Sequence, residues 1–521
     1  MADWYVSSAV YATIPGWQAS PHAYSVGDLV KPTAAISSSN YNSQWVFRVT
    51  VAGTSGATEP NWSTATSNNA TIASGGVTFQ NVTGQSTYGW SAATTTLATV
   101  SSARAVAGDR IFMSSDHSES LTVFGGLTYN FNNSTSAFGM IQIISVNRAG
   151  SVPPVAADIQ NGAVVSYSNS GGAGQLVLEA YCNLFWQGVV ITAAGTGTAS
   201  HLYFNSSARK AHYLKDCVIN LTSALAASRI TTGNAAKVTF DNTNVQFGAT
   251  GQTISTAGSA LELHWINTPS AIQGSTLPTT LFRSEVTAAP VLIICRGVDL
   301  SAITGTLVTG WVSGSNIKAL FEGCKIASGV TRLAAPGTGN NSGDEVELVG
   351  CYDGTNVLNE RYTYAGVVTT DRSTTMSGGA ADDIGAYSLK MVSNANSDFC
   401  TFSLDKFWMD IENVAIGSSK TATVELISSA SLNNNDIRLA LEYQGTAGSS
   451  LAKVDDSLAS VLTAASALPS SSVTWSNAPS TPQKQQLQVT FTPQVAGRVR
   501  GLVRLGKTSK TVWVNPQIAI T

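Results

Sequence analysis

The stretch Ile317-Lys-Ala-Leu-Phe-Glu-Gly-Cys-Lys-Ile326 decides the fold, because its pattern returns along the middle of the chain. Each copy has a β-prone apolar run, then a turn built from Gly, Asn or Cys, and then an apolar pair. The other copies lie at 212–219, 237–245, 261–267, 291–298 and 345–352, with an earlier copy expected at 176–182. Aligning the last three copies on Val298, Cys324 and Cys351 gives steps of 26 and 27 residues.

Steps of this size indicate a solenoid, since one repeat is a single coil that cannot bury its apolar face without neighbours. Each copy contains an alternating run of apolar residues, and such runs favour strands rather than helices. The sequence therefore predicts a right-handed parallel β-helix over residues 91–355.

The composition predicts an all-β protein. Charged residues make up only 11% of the chain, which has 46 glycines and long tracts of Ser, Thr, Asn and Ala. Short polar side chains of this kind suit tight coils and turns. An apolar fraction of 43% argues against intrinsic disorder.

The charge balance argues against nucleic acid as a partner. The net charge is −3, from 28 Lys and Arg against 31 Asp and Glu, and this lacks the basic footprint of a nucleic-acid-binding protein. Neither a secretory signal nor an apolar run long enough to span a bilayer is visible, so no membrane insertion is expected. We expect the protein to be made in a cytoplasm and to stay there, or to leave by lysis or within a particle.

The regions on either side of the repeats have different patterns. Residues 1–90 contain short strands separated by Gly-rich turns, which predict a small separate β module. Residues 356–521 contain longer alternating strands separated by long loops, which is typical of a β-sandwich of the jelly-roll kind.

Within the first region, several motifs follow one another in a distinctive order. They are Gly27-Asp28-Leu29-Val30, the aromatic run 45–51, Ala52-Gly-Thr-Ser-Gly-Ala-Thr-Glu-Pro-Asn-Trp62 and Gly75-Gly-Val-Thr-Phe79. This order over residues 24–79 resembles a small β module of structural proteins from tailed bacteriophages, with Phe79 where an indole is common. In that family the module begins fibre, spike and other appendage proteins. The resemblance therefore implies a virion protein that contacts other virion proteins through this module.

The cysteines are expected to be structural. No Cys-x-x-Cys or Cys-x-x-His spacing is present, so neither a metal nor a cofactor is predicted. Four of the six lie within the repeated phrase, and small reduced thiols stacked between coils explain that placement. The six residues are Cys182, Cys217, Cys295, Cys324, Cys351 and Cys400.

Catalysis needs a separate test, because parallel β-helices often hold enzymes that cleave polysaccharides. A glycosidase requires two carboxylates at a defined separation across the scissile bond. The candidates in the repeats are Asp216, Asp241, Glu262, Glu322 and Glu347. Counted back from the aligned turn, they fall at different offsets, so no single stacked cluster is predicted. We therefore expect no glycan-cleaving activity, and a β-helix hydrolase or lyase stays the alternative.

Two further groups are candidates for binding. Trp45 and Trp62 either offer stacking platforms for a sugar or build the core of the first module. Arg498, Arg500 and Arg504 alternate along one predicted strand, which places them on one face, either for solvent or for an anion or another subunit.

Three functions fit these patterns. The first is a virion structural protein of a tailed phage, an elongated homotrimeric fibre, spike or capsid-decoration protein. The second is a tailspike enzyme that cleaves bacterial surface polysaccharide, and the third is a cellular carbohydrate-binding adhesin. The repeats, the low charge and the resemblance favour the first. Its expected partners are copies of itself, other virion proteins and a host-surface glycan.

Overall fold

The chain divides into two compact units, Met1–Gly339 with Tyr352–Thr355, and Asn340–Cys351 with Asn356–Thr521. Strands dominate both units. Within the described ranges, no helix has the length and apolar character that crossing a membrane requires. The computed structural model describes residues 2–33, 45–101, 105–124, 126–131, 139–206, 209–233, 237–256, 261–274, 276–284, 290–310, 316–334, 344–363, 366–371, 388–393, 400–403, 412–414, 419–428, 437–445, 452–454, 485–491, 497–505 and 511–521.

The first part of the chain forms a small antiparallel sheet, in the strand order β3-β4-β7-β6, with a separate β2–β5 pair. Short 3-10 helices occupy Trp62–Ala65 and Ser86–Ala92. The strands and α-helices are β1 (Asp3–Val6), α1 (Ser8–Ala12), β2 (Ala23–Tyr24), β3 (Leu29–Val30), β4 (Phe47–Val51), β5 (Gly53–Thr54), β6 (Thr71–Ser74), β7 (Val77–Asn81) and α2 (Leu97–Ser101).

The glycine motifs of this module allow two loops to touch backbone to backbone. A Cβ on Gly53 would lie 2.5 Å from the carbonyl oxygen of Gly76. Gly75 has a φ of +62°, and a Cβ there would lie 2.5 Å from the carbonyl oxygen of Thr54. Only glycine permits both the approach and the left-handed conformation. The Gly-Thr-Ser-Gly and Gly-Gly-Val segments are therefore two halves of one contact.

The first strand does not belong to this module, contrary to the predicted boundary of 1–90. β1 pairs in parallel with Arg110–Ser114, with Asp3 opposite Arg110. The Arg110 guanidinium also binds the Asp3 carboxylate through two hydrogen bonds of 2.8 and 2.9 Å. A four-residue strand gives too short a pattern to reveal a pairing partner more than a hundred residues away. The chain therefore starts on the solenoid, leaves it for the module and returns.

The middle of the chain is a parallel solenoid, as the repeats predict. In chain order its strands are β8 (Arg110–Ser114), β9 (Ser118–Val123), β10 (Leu127–Phe131), β11 (Met140–Val146), β12 (Ala163–Asn169), β13 (Ala173–Ala180), β14 (Asn183–Gln187), β15 (Val189–Gly195), β16 (Ala199–Asn205), β17 (Ala211–Lys215), β18 (Val218–Leu221), β19 (Arg229–Thr232), β20 (Lys237–Asp241), β21 (Asn244–Phe247), β22 (Thr253–Thr256), β23 (Leu261–Ile266), β24 (Ile272–Gln273), β25 (Thr280–Ser284), β26 (Pro290–Arg296), β27 (Asp299–Leu300), β28 (Thr306–Gly310), β29 (Asn316–Glu322), β30 (Lys325–Ile326) and β31 (Thr331–Leu333). A 3-10 helix at Ala156–Asp158 lies in the connection between β11 and β12.

From β8 to β25 every third strand joins the same sheet, so each of these coils contributes one strand to each of three sheets, while β27 pairs with β30 outside the second sheet. The first sheet runs through β8, β11, β14, β17, β20, β23, β26 and β29, and the second through β9, β12, β15, β18, β21 and β24. The third is an eight-stranded sheet from β10 to β31. Neighbouring strands pair in parallel, for example β14 with β17 and β13 with β16. The parallel β-helix is thus confirmed, while its right-handedness stays a prediction.

Large side chains from the first and third sheets fill the interior of the solenoid. Successive rings lie 5.9, 5.8, 6.4 and 6.2 Å apart between centroids. Burying each such side chain contributes roughly 1.5–3 kcal/mol to stability. The rings belong to Phe204, Phe240, Trp265, Phe282 and Phe321, all fully buried.

The predicted register is confirmed for the last copies of the repeat. Asp299 pairs with Lys325, and Lys325 pairs with Tyr352, so the residues before them align as expected. The prediction that 176–182 is an earlier copy of the repeat is wrong. Leu176 lies in β13 of the third sheet, opposite Leu127 and Leu202, whereas the other copies lie in the first sheet. Two alternating strands of similar composition occur in that coil, and the pattern alone does not tell them apart.

The second unit contains antiparallel strands. One group pairs in the order β33-β34-β35-β43-β38-β41. In the other group β36, β37 and β39 pair with β42, and β40 pairs with β39. The predicted face-to-face packing of a sandwich stays a prediction. The strands are β32 (Glu345–Tyr352), β33 (Val357–Thr363), β34 (Gly366–Asp371), β35 (Ser388–Ser393), β36 (Cys400–Ser403), β37 (Glu412–Val414), β38 (Lys420–Ser428), β39 (Ile437–Gly445), β40 (Ala452–Val454), β41 (Gln485–Phe491), β42 (Gly497–Leu505) and β43 (Thr511–Ile520).

Candidate functional site

The outer surface of the first sheet, along β14, β17, β20 and β23, carries the most varied side-chain chemistry of the solenoid. Side chains alternate along these strands, so that Leu184 and Trp186 point inward and are buried while Phe185 and Gln187 are half-buried on the outside. We call this surface the ladder face.

Two aromatic rings stack on the ladder face. Phe185 and Tyr213 are register partners on β14 and β17, and their ring centroids are 5.6 Å apart with an interplanar angle of 21°. The Tyr213 hydroxyl donates a hydrogen bond of 2.5 Å to Asp241 Oδ2. Partial burial, and then the hydrogen bond and charge of Asp241, raise the pKa of Tyr213 to about 12. The phenol therefore stays protonated at neutral pH and acts as a donor.

The Asp216 carboxylate is held by amides on the coils before and after it. Asn242 Nδ2 donates to Asp216 Oδ1 at 2.7 Å, and Gln187 Nε2 approaches Asp216 Oδ2 at 3.5 Å. Asp216 is a turn residue with a φ of +54°, a conformation that Asp and Asn adopt more readily than most residues. The turn therefore points a carboxylate along the solenoid axis toward the next coil.

Asp241 repeats this arrangement one coil later. Its Oδ1 accepts a 3.0 Å hydrogen bond from Asn267 Nδ2, while its Oδ2 accepts from Tyr213. The backbone of the two residues is also joined, since the Asp216 N–H donates to the Asp241 carbonyl oxygen at 3.0 Å. Two carboxylates, three amides and a phenol thus form one hydrogen-bonded ladder beside the stacked rings.

Of the other predicted carboxylates, Glu262 lies on the ladder face in β23, while Glu322 and Glu347 lie elsewhere. Glu262 Oε2 is 3.1 Å from His264 Nε2 and 3.9 Å from Lys237 Nζ. Glu322 forms a 2.7 Å ion pair with Arg296. Glu347 is buried in β32, in the second unit.

The prediction that these carboxylates scatter needs one correction. Consecutive register pairs align Asp241 with Ile266, Ile266 with Arg296, and Arg296 with Glu322, so Asp241 and Glu322 share a column. Asp241 lies two residues before Thr243 and Glu322 two residues before Cys324, so both carboxylates have the same offset from the turn. Two other residues separate the pair, so the shared column does not bring the carboxylates together.

Trp45 and Trp62 contribute to a core rather than to a surface. Their exposed fractions are 7% and 2%, and both pack in the apolar cluster of the first module with Phe47 and Phe79. The Trp62 indole N–H donates to Glu59 Oε1 at 2.8 Å, which fixes the ring further. Neither ring is placed to stack on a sugar.

The three arginines lie on β42, whose backbone pairs with β39. Arg500 is opposite Glu442, and Arg504 is opposite Arg438. The prediction that Arg498, Arg500 and Arg504 contact an anion or a subunit concerns side chains outside the described residues.

The sequence predicts no metal cluster, on the basis of its cysteine spacings. The five cysteines whose side chains the structure describes are buried thiols outside any disulfide, and burial raises the pKa of Cys217 to about 12. No group of three or more metal-ligating side chains gathers within the described ranges. Cys400 has a side chain outside the described residues.

Sequence reasoning missed the residues that complete the ladder face: Phe185, Gln187, Tyr213, Asn242 and Asn267. One signal was available for the amides. The residue just before the aligned turn position is Asp, Asn or Gly in successive copies, which are the residue types that suit a left-handed turn. The stacked rings left no such signal, since they follow from cross-strand register alone.

No protein-family model matches the chain, and no curated protein matches it. Among solved structures, it is similar to the enzymatically active domain of tailspike protein 4 from bacteriophage CBA120, with a TM-score of 0.28, 10% identity, and coverage of 99% of this chain and 77% of that one. It is also similar to the tailspike protein of the Acinetobacter phage vB_ApiP_P1, with a TM-score of 0.21, 11% identity, and coverage of 99% of each chain. Because both TM-scores are low, the function proposed below rests on this chain's own residues.

Proposed function

We propose that the chain is an appendage protein of a tailed-phage virion, of the fibre, spike or capsid-decoration type, that binds a host-surface glycan on the ladder face. The observation that carries the first part is the order of motifs over residues 24–79, which resembles the phage attachment module. In the structure these motifs contribute to a four-stranded sheet and a separate two-stranded pair, and their aromatic side chains share one core.

The way in which the module joins the solenoid supports an attachment role. The segment that leaves the module is bonded to the segment that enters it, since the Tyr5 N–H donates to the Gly84 carbonyl at 2.9 Å and the Ser7 N–H to the Thr94 carbonyl at 2.6 Å. A module held at both ends resists rotation better than one on a single linker. Force on the solenoid would therefore reach the particle through two segments of the chain.

The proposal includes a homotrimer. The outward positions of the second sheet carry Ser, Thr, Asn, Gln and small apolar residues, and none of those described is charged. An uncharged, flat sheet surface can contact another copy without the cost of removing charges from water. Other virion proteins would then contact the first module.

Purified particles of a phage that encodes this chain provide the test. We expect an antibody raised against the solenoid to label intact particles at discrete appendages, and the isolated protein to have the mass of three copies. Particles that lack the chain would overturn the appendage proposal, and a stable monomer at micromolar concentration would overturn the trimer.

The ladder face suits a glycan because it combines apolar and polar recognition. Stacked aromatic rings offer flat apolar surface with a polar tip, and sugars present C–H faces between hydroxyl groups. The carboxylates of Asp216 and Asp241 are acceptors for sugar hydroxyls, and the amides of Asn242 and Asn267 supply donors and acceptors. The existing ladder keeps these groups in place before a ligand arrives, which lowers the entropic cost of binding.

Cleavage of that glycan is a second candidate, and the specific observation that favours it is the adjacency of Asp216 and Asp241 on neighbouring coils. Glycosidases use two carboxylates about 5–10 Å apart. Host capsule or lipopolysaccharide, incubated with the protein and assayed for new reducing ends and unsaturated sugars, separates the two functions. Binding alone yields neither product. Turnover that Asp216→Asn or Asp241→Asn abolishes, while Glu322→Gln leaves it intact, would assign the hydrolase.

A further inference from the structure

The outer face of the second sheet carries hydroxyl and amide side chains in its middle column. Register pairs connect six residues, one from each strand of this sheet, without a gap. Side chains alternate along a strand, and these six occupy outward positions, where they are exposed or half-buried. We call them the amide column: Ser120, Ser166, Thr192, Asn220, Gln246 and Gln273.

The amide column leaves most of its hydrogen-bonding groups unused within the chain. Among the described residues, its one side-chain hydrogen bond joins Asn220 Nδ2 to Thr192 Oγ1 at 3.4 Å, which is long. Asn220 Oδ1 has no partner among them. On the ladder face, by contrast, Asn242 and Asn267 each donate to a carboxylate of their own chain. Hydroxyl and amide groups are both donors and acceptors, so a second amide column can bond to the first.

Two columns of different bulk flank the amide column. On one side Val164, Val190 and Val218 are register neighbours and form an apolar stripe, the valine stripe. On the other side lie the small residues Ser168 and Ala194. When two copies face each other and run in the same direction, the valine stripe of one copy lies opposite the small residues of the other. When they run in opposite directions, valine lies opposite valine and the small residues leave a gap, which close packing disfavours.

This face also differs in charge from the outer face of the first sheet. The first sheet has Lys215, Lys237 and Asp241 at outward positions, whereas no described outward side chain of the second sheet is charged. A second copy can therefore cover the face without removing a charge from water. The valine stripe adds apolar area, and its burial favours association.

We propose that the second sheet joins copies of this chain side by side in the same direction. The amide columns meet along the common axis, and the valine stripe of each copy packs against Ser168 and Ala194 of the next. The side chains of the amide column lengthen from Ser120 to Gln273, so the copies lie closest at the first coils and the longer amides bridge a wider gap further on. This arrangement rests on the homotrimer proposed above, and it adds the contact residues and the direction of the copies.

Disulfide formation by single-cysteine variants of the full chain tests the meeting of the amide columns. The five cysteines with described side chains are buried, and Cys400→Ser in every variant removes the sixth. Because a disulfide requires two Cβ atoms within about 4.5 Å, Ser166→Cys should give at least about tenfold more cross-linked dimer than Leu320→Cys on the outer side of the first sheet. Gln246→Cys, where the gap is wider, should be linked by a longer bismaleimide instead.

A pair of co-expressed variants tests the contact between the flanking columns. Val190→Cys and Ala194→Cys, carried on chains with different tags, should form at least about tenfold more mixed disulfide than either forms with itself. The mass of the wild-type protein is measured alongside, so that assembly is known before any cross-link is made.

The outcomes separate this arrangement from the homotrimer itself. A trimer by mass in which neither Ser166→Cys nor the Val190–Ala194 pair cross-links would overturn the arrangement and leave the homotrimer standing. Cross-linking of Ser166→Cys to co-expressed Gln246→Cys, rather than to itself, would show that the copies run in opposite directions and would also overturn it. A stable monomer would overturn both proposals.

Discussion

Two groups of strands in the first sheet have the same backbone conformation at their turns and differ in the turn residues. In the polar half, β17, β20 and β23, the turn residues are Asp216, Asn242 and Asn267, and in the glycine half, β26 and β29, they are Gly297 and Gly323. All five have φ between +47° and +60°. The backbone at these turns is left-handed, and Gly, Asn and Asp are the residues that adopt this conformation most readily.

The difference teaches that the chemistry of the surface is separable from the fold. Asn and Asp add a hydrogen-bonded ladder that glycine cannot form. Successive register partners align Tyr213, Thr239 and His264 in the polar half with Ile294 and Leu320 in the glycine half, all on the outer side of the sheet. Since register and turn geometry are unchanged between the halves, the fold does not require the ladder or the stacked rings.

The largest expected effect concerns the buried residue after the turn, which both halves share. Cys217 and Cys324 are each 1% exposed at equivalent positions. Cys217→Arg and Cys324→Arg would bury an unpaired charge, and each should destabilise by about 3–5 kcal/mol. Cys324→Val, which copies Val298 one coil earlier, should cost less than about 1.5 kcal/mol. Urea unfolding checks all three, and an arginine variant as stable as the wild type would refute the shared column.

Acid should distinguish the halves through His212. This residue occupies an inward column with Val238 in the polar half, where the glycine half has Ile293. Burial lowers the pKa of His212 from 6.5 to about 4. The unfolded chain therefore takes up a proton below about pH 6.5 that the folded chain refuses until about pH 4, so stability falls as pH falls through this window.

His212→Leu removes that contribution, and Leu184 shows that leucine fits the column. The pH-dependent loss of unfolding free energy between about pH 7 and about pH 5 should shrink by about 2 kcal/mol relative to wild type. Denaturant titrations at both pH values measure this. His201, whose pKa burial also lowers to about 4, should retain its own part of the loss. An unchanged pH dependence in the variant would show that His212 does not titrate differently on folding.

The smallest stability effect concerns the turn residues themselves. Gly297 has a φ of +60° and open space where a Cβ would lie, so substitution there tests conformation alone. Gly297→Val should cost about 1–2 kcal/mol, while Gly297→Asn, which converts the turn to the polar type, should cost less than about 1 kcal/mol. Thermal unfolding compares the two. Equal losses would mean that the two turn types are not interchangeable.

The solenoid was predictable because its register repeats. The alignment of Val298 with Cys324 required only a step length, and parallel pairing then places neighbours side by side. β1 and the strand at Leu176 were not predictable in this way, since a single short strand has no repeat to set its phase.

The ladder face was partly predictable. Asp216 and Asp241 were found as carboxylates in the repeats, but their role depends on donors from other coils. The donors to Asp216 and Asp241 are Asn242 and Asn267, each 26 residues further along the chain than its acceptor, so these contacts follow only from the three-dimensional stacking. The Phe185–Tyr213 stack needs both the register and the outward orientation of the two strands.

The central claim is tested most directly by measuring how two alanine variants, at aligned positions of the first sheet, bind host-surface glycan. Tyr213→Ala removes a stacked ring from the polar half, and Ile294→Ala removes a side chain from the same column in the glycine half. We expect Tyr213→Ala to weaken binding at least about tenfold, equivalent to roughly 1.4 kcal/mol, and Ile294→Ala to bind as the wild type does. Equal affinity of Tyr213→Ala and wild type, or equal losses in both variants, would contradict a glycan site on the ladder face.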